Sequence, residues 1–136
     1  MRAINEIIIH CSSTPEGRNT VIEDIDRWHR AKGWKGVGYH FVIHLDGSIH
    51  KGRDEKVIGS HCVGKNRNSI GICYIGGLAK DKKTPKDTRT EAQKQALIKL
   101  IAELKKKYPG AVVYGHKDFA SKACPCFDAK SEYENI

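Results

Sequence analysis

The chain has 136 residues, of which 39% are hydrophobic and 29% are charged. This balance is typical of a folded globular protein and excludes a disordered chain, which has too few apolar residues to build a core. The formal net charge of +8 favours anionic partners such as nucleic acid, a membrane surface or a cell-wall polymer, without selecting one of them. No apolar run approaches the ~20 residues of a membrane span, so we expect no membrane insertion.

The first residues, MRAINEIIIHCSS, contain only a short apolar patch, which predicts cytoplasmic synthesis without a signal peptide. In that reducing compartment the five cysteines, an odd count, are not expected to form a disulfide framework. No RNP-type strand, zinc-finger spacing or recognition-helix pattern accompanies the basic residues, so no nucleic-acid partner is expected. No repeat or linker divides the sequence, which predicts one domain over residues 1–136.

The amino-terminal third predicts a strand followed by a helix. Residues 6–10 contain an isoleucine run and predict a short buried strand with His10 at its end. Thr20 and Glu23 form a capping-box pattern before a helix that Gly33 ends. The predicted apolar face of this helix consists of Val21, Ile25, Trp28 and Lys32.

The middle of the chain predicts strands. Residues 39–44 and 49–52 read as an antiparallel hairpin joined by a Leu-Asp-Gly-Ser turn. Residues 69–75 form an apolar, β-branched run between asparagine and glycine signals, which indicates a central strand. The lysine-rich stretch that follows, with Pro85 inside it, has the composition of a loop.

The carboxyl-terminal part predicts a long helix and one more strand. Thr90 and Gln93 form a second capping box, and the helix after it carries an apolar stripe of Ala96, Leu97, Leu100, Ile101, Leu104 and Tyr108. Residues 111–115 predict a strand that delivers a second histidine, His116. Together these elements predict an α/β fold in which helices flank a mixed central sheet of about four to six strands.

The histidines and cysteines suggest a metal site. His10 is distant in sequence from His116 and Cys124, and three protein ligands are typical of a catalytic zinc that keeps a fourth position for water. Spacing alone is a weak signal, because seven histidines and five cysteines produce many such triples. On pattern alone, packed or surface histidines remain the commoner explanation. A structural zinc finger would need a second close cysteine pair, which the sequence lacks.

Five segments occur in the order IIIHCSS, WHRAKGWKGVGYHFVIHLDGSI, KGRDEKVIGSHC, NSIGICYIGG and KACPCFD. In order and spacing they resemble the type 2 N-acetylmuramoyl-L-alanine amidases, most closely the amidase-type phage lysozymes and more loosely the animal peptidoglycan recognition proteins. The resemblance covers residues 7–128. It implies the fold of those proteins and a zinc-dependent hydrolase that cleaves the bond between N-acetylmuramic acid and L-alanine of peptidoglycan, in phage or prophage lysis.

By the same resemblance, each site residue has an expected role. One Zn²⁺ ion is held by His10, His116 and Cys124, the catalytic side chains are Tyr39 and Lys122, and a substrate contact is His61. Read as chemistry, Lys122 can donate to the oxyanion that forms on attack. Tyr39 can orient the attacking water or pass a proton, because a phenol beside a cation has a lowered pKa.

Several residues near these motifs receive other expectations. Cys126 is the main rival to Cys124 as a ligand, although Pro125 between them restricts an exchange. Cys11 should point away from a metal bound by His10, since neighbouring side chains of a strand alternate. A core position is expected for Cys73, packing roles for Trp28 and Trp34, surface positions for His29, His44 and His50, and for His40 the strand face opposite Tyr39.

Two rival functions come from other classes. A non-catalytic peptidoglycan-binding module would lack the metal cysteine, which this chain has. A thiol hydrolase using Cys124 or Cys126 with a histidine would be sensitive to alkylation but not to a chelator. The expected partner is peptidoglycan and the expected state is a monomer; the phage-type relatives also bind an RNA polymerase, a question that the sequence leaves open.

Overall fold

The computed structural model describes residues 2–136 as a five-stranded mixed sheet, a small two-stranded sheet, three α-helices and two short 3-10 helices. The strands are β1 (Glu6–Cys11), β2 (Thr14–Pro15), β3 (Phe41–Ile43), β4 (Ile49–Lys51), β5 (Ser69–Tyr74), β6 (Gly77–Leu78) and β7 (Val112–Gly115), and the helices are α1 (Ile22–Ala31), α2 (Glu91–Lys107) and α3 (Ala129–Glu132). The predicted α/β class and mixed sheet are confirmed.

The large sheet has the strand order β4-β3-β5-β1-β7. All neighbouring strands in it are parallel except β3 and β4, which form the predicted antiparallel hairpin. β1 and β5 lie in the centre and are buried along nearly their whole length. Such double-sided burial explains why both strands read as continuous apolar runs rather than as alternating patterns.

Apolar side chains cover both faces of this sheet. One face packs against α2 and α3 through a cluster that includes Ile9, Ile72 and the predicted α2 stripe. The other face carries a smaller cluster, in which Ile25 of α1 contacts Val42 and Cys73. The core position expected for Cys73 is therefore confirmed. The sheet is the layer between helices, and both of its ends are free to carry loops.

Helix α2 begins as the sequence predicts. Thr90 Oγ1 accepts from the Gln93 N–H at 3.1 Å, and the Gln93 side chain accepts from the Thr90 N–H at 2.9 Å. The buried Gln93 amide also donates to the carbonyl oxygens of Ile43 and Ile75. The reciprocal cap satisfies orphan groups of the helix terminus, and the Gln93 amide fixes α2 against the carboxyl ends of β3 and β5.

Helix α1 differs from its prediction by about one residue. It starts at Ile22, and the Asp24 carboxylate accepts from the Val21 N–H at 2.9 Å, so the Thr20 capping box is wrong. Thr20 is instead buried. The predicted apolar face is also wrong in part: of the four predicted positions only Ile25 is buried, while Trp28 is 41% exposed. The left-handed Gly33 that ends the helix is confirmed by its φ of +90°.

Within residues 2–136, no helix is both long enough and apolar enough to cross a bilayer.

Candidate active site

Three potential metal ligands come together at one edge of the sheet. His10 lies near the end of β1 and His116 follows β7, and because these strands are parallel neighbours their carboxyl ends meet. Cys124 approaches from the loop after β7. One donor atom from each residue lies within 4.8 Å of those of the other two, and residues 2–136 hold no other such group of three. The structure therefore assembles the triad that the sequence suggested.

Backbone and side-chain hydrogen bonds hold the loop of Cys124. The Cys11 N–H donates to Cys124 Sγ at 3.1 Å, and the Lys117 N–H donates to the Cys124 carbonyl at 2.8 Å. The buried Tyr74 hydroxyl donates to the Pro125 carbonyl at 2.6 Å. These contacts anchor the loop to β1 and β5 and point the sulfur of Cys124 towards the two histidines.

The other two sulfur atoms of this region lie outside the ligand group. Cys126 Sγ donates to the Gly77 carbonyl at 3.3 Å and lies 4.0 Å from Cys11 Sγ. Cys11 belongs to the core cluster on the α2 face of the sheet, which agrees with the alternation expected beside His10. The geometry thus favours Cys124 over Cys126 as the ligand.

Electrostatics keep both imidazoles of the triad neutral. Burial holds the pKa of His10 well below its ordinary value, and the nearby His61, His116 and Lys122 lower it further. Burial, followed by the charge of Lys122, also lowers the pKa of His116. Neutral imidazole is the form that binds a metal ion, so the site needs no proton release from these two residues at neutral pH.

His61 contacts the triad directly. Its Nδ1 lies 2.8 Å from His10 Nε2, and its Nε2 lies 3.2 Å from Ser69 Oγ. The ring occupies a niche between Gly59 and Gly71, where a Cβ on either glycine would lie 2.7 Å from the imidazole. Burial, followed by the charge of His40, lowers the pKa of His61 to about 3. Both ring nitrogens are thus engaged within the protein.

Tyr39 and Lys122 both lie close to the triad. The rings of Tyr39 and His10 are 5.0 Å apart. Burial, followed by the nearby Cys73 and Cys124 thiols, raises the pKa of Tyr39 well above its ordinary value, so its hydroxyl is protonated. From the sequence, the pKa of Tyr39 was expected to be lowered. Such a lowering requires a bound cation, whose charge opposes the effect of burial. Lys122 is exposed, yet close enough to lower the pKa of His10 and His116.

A cleft of about 490 Å³ opens above these residues. Its lining includes Tyr39, His61, His116 and Lys122, together with Trp34, for which the sequence suggested only packing. A second cavity of about 500 Å³ lies between α1 and the β4 hairpin and contains none of the triad. The proposed chemistry is therefore assigned to the first cleft, whose volume is typical of a small-molecule binding site.

Four further histidines lie outside the triad. His29 was expected at the surface and is only 8% exposed; its Nδ1 accepts from the Gly38 N–H at 2.8 Å, which braces the turn before Tyr39. In α1, His29 rather than the predicted Trp28 occupies the buried face. His40 binds the Gly71 N–H outside the triad, and the rings of His44 and His50 stack 3.8 Å apart at the β3–β4 hairpin.

A mixed α/β sheet that presents two histidines and a cysteine beneath an open cleft defines a candidate metal-dependent hydrolase. Residues 1–127 match the profile of a family described as N-acetylmuramoyl-L-alanine amidase. The endolysins of Klebsiella phage KP32 and Escherichia phage T7 are 45% and 46% identical over 130 and 129 residues. These alignments cover 96% and 94% of this chain and 85% and 84% of the relatives. The chain belongs to the N-acetylmuramoyl-L-alanine amidase family.

Solved structures agree with this assignment. The N-acetylmuramoyl-L-alanine amidase LysC from Clostridium intestinale URNW superposes with a TM-score of 0.81 at 32% identity, over 96% of this chain and 82% of that one. Drosophila PGRP-LB superposes equally well, with a TM-score of 0.81 at 28% identity, over 99% of this chain and 82% of its own. The chain therefore shares its fold with a solved N-acetylmuramoyl-L-alanine amidase and with a solved PGRP protein.

Proposed function

We propose that the chain is a zinc-dependent N-acetylmuramoyl-L-alanine amidase, which hydrolyses the amide bond between N-acetylmuramic acid and L-alanine in peptidoglycan. The observation that carries this proposal is the convergence of His10, His116 and Cys124 beneath a cleft in a member of the amidase family. The endolysin names of the phage relatives support a role in phage or prophage lysis, with the cell wall as the site of action.

The donor set fits zinc. Two imidazole nitrogens and one thiolate suit this borderline-soft ion, whereas magnesium and calcium prefer oxygen ligands. Three protein ligands are typical of catalytic zinc sites, while structural sites use four. When bound, zinc would supply a Lewis acid that polarises the scissile carbonyl and makes water a nucleophile near neutral pH.

Lys122 stabilises the negative charge that develops on the carbonyl oxygen. Lys122 precedes Cys124 by two positions, lies in the same loop and lines the cleft. An ammonium group is a fixed donor that interacts more strongly with an oxyanion than with a neutral carbonyl, which is the condition for catalysis. Its exposure leaves it free to reach a bound substrate.

Tyr39 positions the attacking water and transfers protons. Its ring lies beside His10 and lines the cleft, and its raised pKa keeps the hydroxyl available as a hydrogen-bond donor. The same hydroxyl can protonate the departing amine of L-alanine. A positive charge in the triad would bring its pKa closer to neutrality and so favour this transfer.

His61 orients His10. Because both of its ring nitrogens are engaged by His10 and Ser69, we assign it this role in place of the substrate contact suggested by the sequence. Outer-shell partners of this kind fix the tautomer and the ring plane of a metal-binding histidine. The His61 ring still forms part of the cleft wall, so substrate can pass over it.

The test is the hydrolysis of purified peptidoglycan by the purified protein, before and after treatment with a chelator. We expect new L-alanine amino groups without new reducing sugars, loss of activity with the chelator, and recovery when Zn²⁺ is added back. New reducing ends would instead identify a glycosidase. Activity that survives the chelator but not thiol alkylation would identify a thiol hydrolase, and binding without cleavage would identify a recognition module.

A further inference from the structure

Two cysteines outside the proposed ligand set have their sulfur atoms in contact. Cys11 Sγ and Cys126 Sγ are 4.0 Å apart, although the residues are separated by most of the sequence. Cys11 ends β1 directly after His10, and Cys126 lies two positions after Cys124. The contact therefore connects the strand that carries one proposed ligand with the loop that carries another.

Gly77 provides the space in which the two sulfurs meet. A Cβ at this position would lie 2.5 Å from Cys11 Sγ, and the Gly77 carbonyl accepts from Cys126 Sγ at 3.3 Å. Its φ of +104° is a conformation that L residues rarely adopt. A side chain here would displace Cys11, so the glycine keeps both sulfur atoms in one niche at the start of β6.

We propose that Cys11 and Cys126 form an intramolecular disulfide when the protein meets a disulfide oxidant, and that this bond fastens the Cys124 loop to β1. The sulfur atoms must close from 4.0 Å to the ~2.05 Å of a disulfide, and the proposal assigns this movement to the two side chains and the Cys124 loop. The closed loop spans residues 11–126, nearly the whole chain, so the bond constrains the unfolded state strongly.

The exposures of the two residues indicate an order of events. Cys126 is partly exposed whereas Cys11 is 4% exposed, so oxidised glutathione reaches Cys126 first. Exchange forms a mixed disulfide at Cys126 and releases one glutathione thiol; Cys11 then attacks the Cys126 sulfur and releases the second. Two protein thiols are oxidised, one glutathione disulfide is reduced, and the protein loses two hydrogen atoms.

Cys124 is the thiol that could compete. Its sulfur accepts from the Cys11 N–H, but as a zinc ligand it is held as a thiolate by the metal and is less available for exchange. The inference thus rests on the proposed function for two points: the protection of Cys124, and the passage of the protein to peptidoglycan, which lies beyond the reducing cytoplasm. Cys11 and Cys126 would remain thiols during synthesis in the cytoplasm and would form the disulfide where the protein meets peptidoglycan.

The test uses zinc-loaded wild type, Cys126→Ser and Cys62→Ala, each incubated with oxidised glutathione. We expect wild type and Cys62→Ala to lose ~2 Da and two alkylatable thiols, to migrate faster on a non-reducing gel, and to yield a peptide that links Cys11 with Cys126. Their unfolding midpoints should rise by ~5 °C or more, and a chelator should remove their zinc more slowly. Cys126→Ser should show none of these changes.

Three results would overturn the proposal: unchanged thiols in wild type after prolonged oxidation, a bond that maps to Cys124, or a glutathione adduct on Cys126 that never resolves. Cys11→Ser provides a second test if Cys126→Ser fails to fold, because it should trap that adduct. None of these measurements requires peptidoglycan cleavage. A protein that forms the bond but does not cleave peptidoglycan would therefore contradict the amidase proposal alone.

Discussion

The two sides of the candidate metal site are built differently. His10 lies near the end of β1 and His116 directly follows the adjacent parallel strand β7, so the hydrogen bonds between the two strands fix the distance between these residues. Cys124 and Lys122 lie in a loop that single contacts hold, such as the bond from Tyr74 to Pro125. The strand side is rigid because the sheet is rigid, whereas the loop side depends on individual side chains. Removing one contact should therefore disturb the loop side more.

The largest effect should come from the ligand on the loop side. We expect Cys124→Ser to lose bound zinc and to reduce amidase activity by more than ~100-fold, since even the loss of an outer-shell partner costs 10–100-fold. Cys126→Ser is the matched control and should keep both properties under reducing conditions. Metal analysis and peptidoglycan hydrolysis measure the two effects, and equal losses in the two variants would reverse the choice of ligand.

Lys122→Ala should separate catalysis from metal binding. Loss of one donor to an oxyanion lowers kcat by about 100-fold to 1,000-fold, while zinc content and the unfolding midpoint should stay unchanged because Lys122 is exposed. Lys106→Ala, an exposed lysine of α2, is the control for the loss of a positive charge. A kcat that changes equally in both variants would refute the assigned role.

His61→Ala should sharpen the comparison from the strand side. We expect its zinc affinity to fall by about 10-fold to 100-fold, because His10 loses the partner that fixes its ring. His61→Asn, whose Oδ1 can accept from His10 Nε2 in place of His61 Nδ1, should recover part of this affinity. Competition with a chromogenic chelator measures it. If both variants bind zinc as wild type does but bind peptidoglycan fragments more weakly, His61 is a substrate contact after all.

Tyr74→Phe should loosen the loop without touching any ligand. It removes the hydroxyl that satisfies the buried Pro125 carbonyl, which costs about 1–3 kcal/mol in the free energy of unfolding. The rate of zinc release to a chelator should rise as well. Tyr133→Phe, which removes a hydroxyl that accepts from Arg89, should cost a similar amount of stability but leave zinc release unchanged. Urea titration and release kinetics distinguish the two variants.

The smallest effect concerns acid stability near the turn before Tyr39. Burial lowers the pKa of His29 from 6.5 to about 4. Between these two pH values the unfolded chain binds a proton that the folded protein does not, so stability falls as pH drops from 6.5 to 4 and is fully present above 6.5. His29→Asn keeps an acceptor for the Gly38 N–H and should lose stability less steeply over this interval in urea titrations. An unchanged slope would contradict the assignment.

Most of the fold could be predicted because it follows from local patterns. The isoleucine run of β1, the β-branched run of β5 and the reciprocal cap of α2 each carry their signal within a few residues. The start of α1 could not be fixed, because Thr20 with Glu23 and Val21 with Asp24 offer competing caps one residue apart. In the folded chain Thr20 is buried and the Asp24 carboxylate accepts from the Val21 N–H. The sequence also placed Trp28 on the buried face of α1, whereas the folded chain buries His29, whose ring nitrogen accepts from the Gly38 N–H.

The site was predictable to the extent that motifs carry it. The resemblance to the amidases supplied the triad, Tyr39 and Lys122, none of which periodicity could have brought together. Two features needed the folded chain. The His61 contact with His10 depends on the niche between Gly59 and Gly71, and the Cys11–Cys126 contact joins residues far apart in sequence. Residue spacing in the sequence indicates neither of these contacts.

The parallel pairing of β1 with β7 also has a consequence for biosynthesis. His10 is made early by the ribosome, but its place beside His116 exists only once β7 has been added to the sheet, and Cys124 follows later still. A nascent chain or fragment that lacks β7 and the segment after it contains only His10 of the triad, on a strand whose β7 side is unpaired. The proposed metal site can therefore form only late in translation, and such incomplete chains lack two of its three ligands.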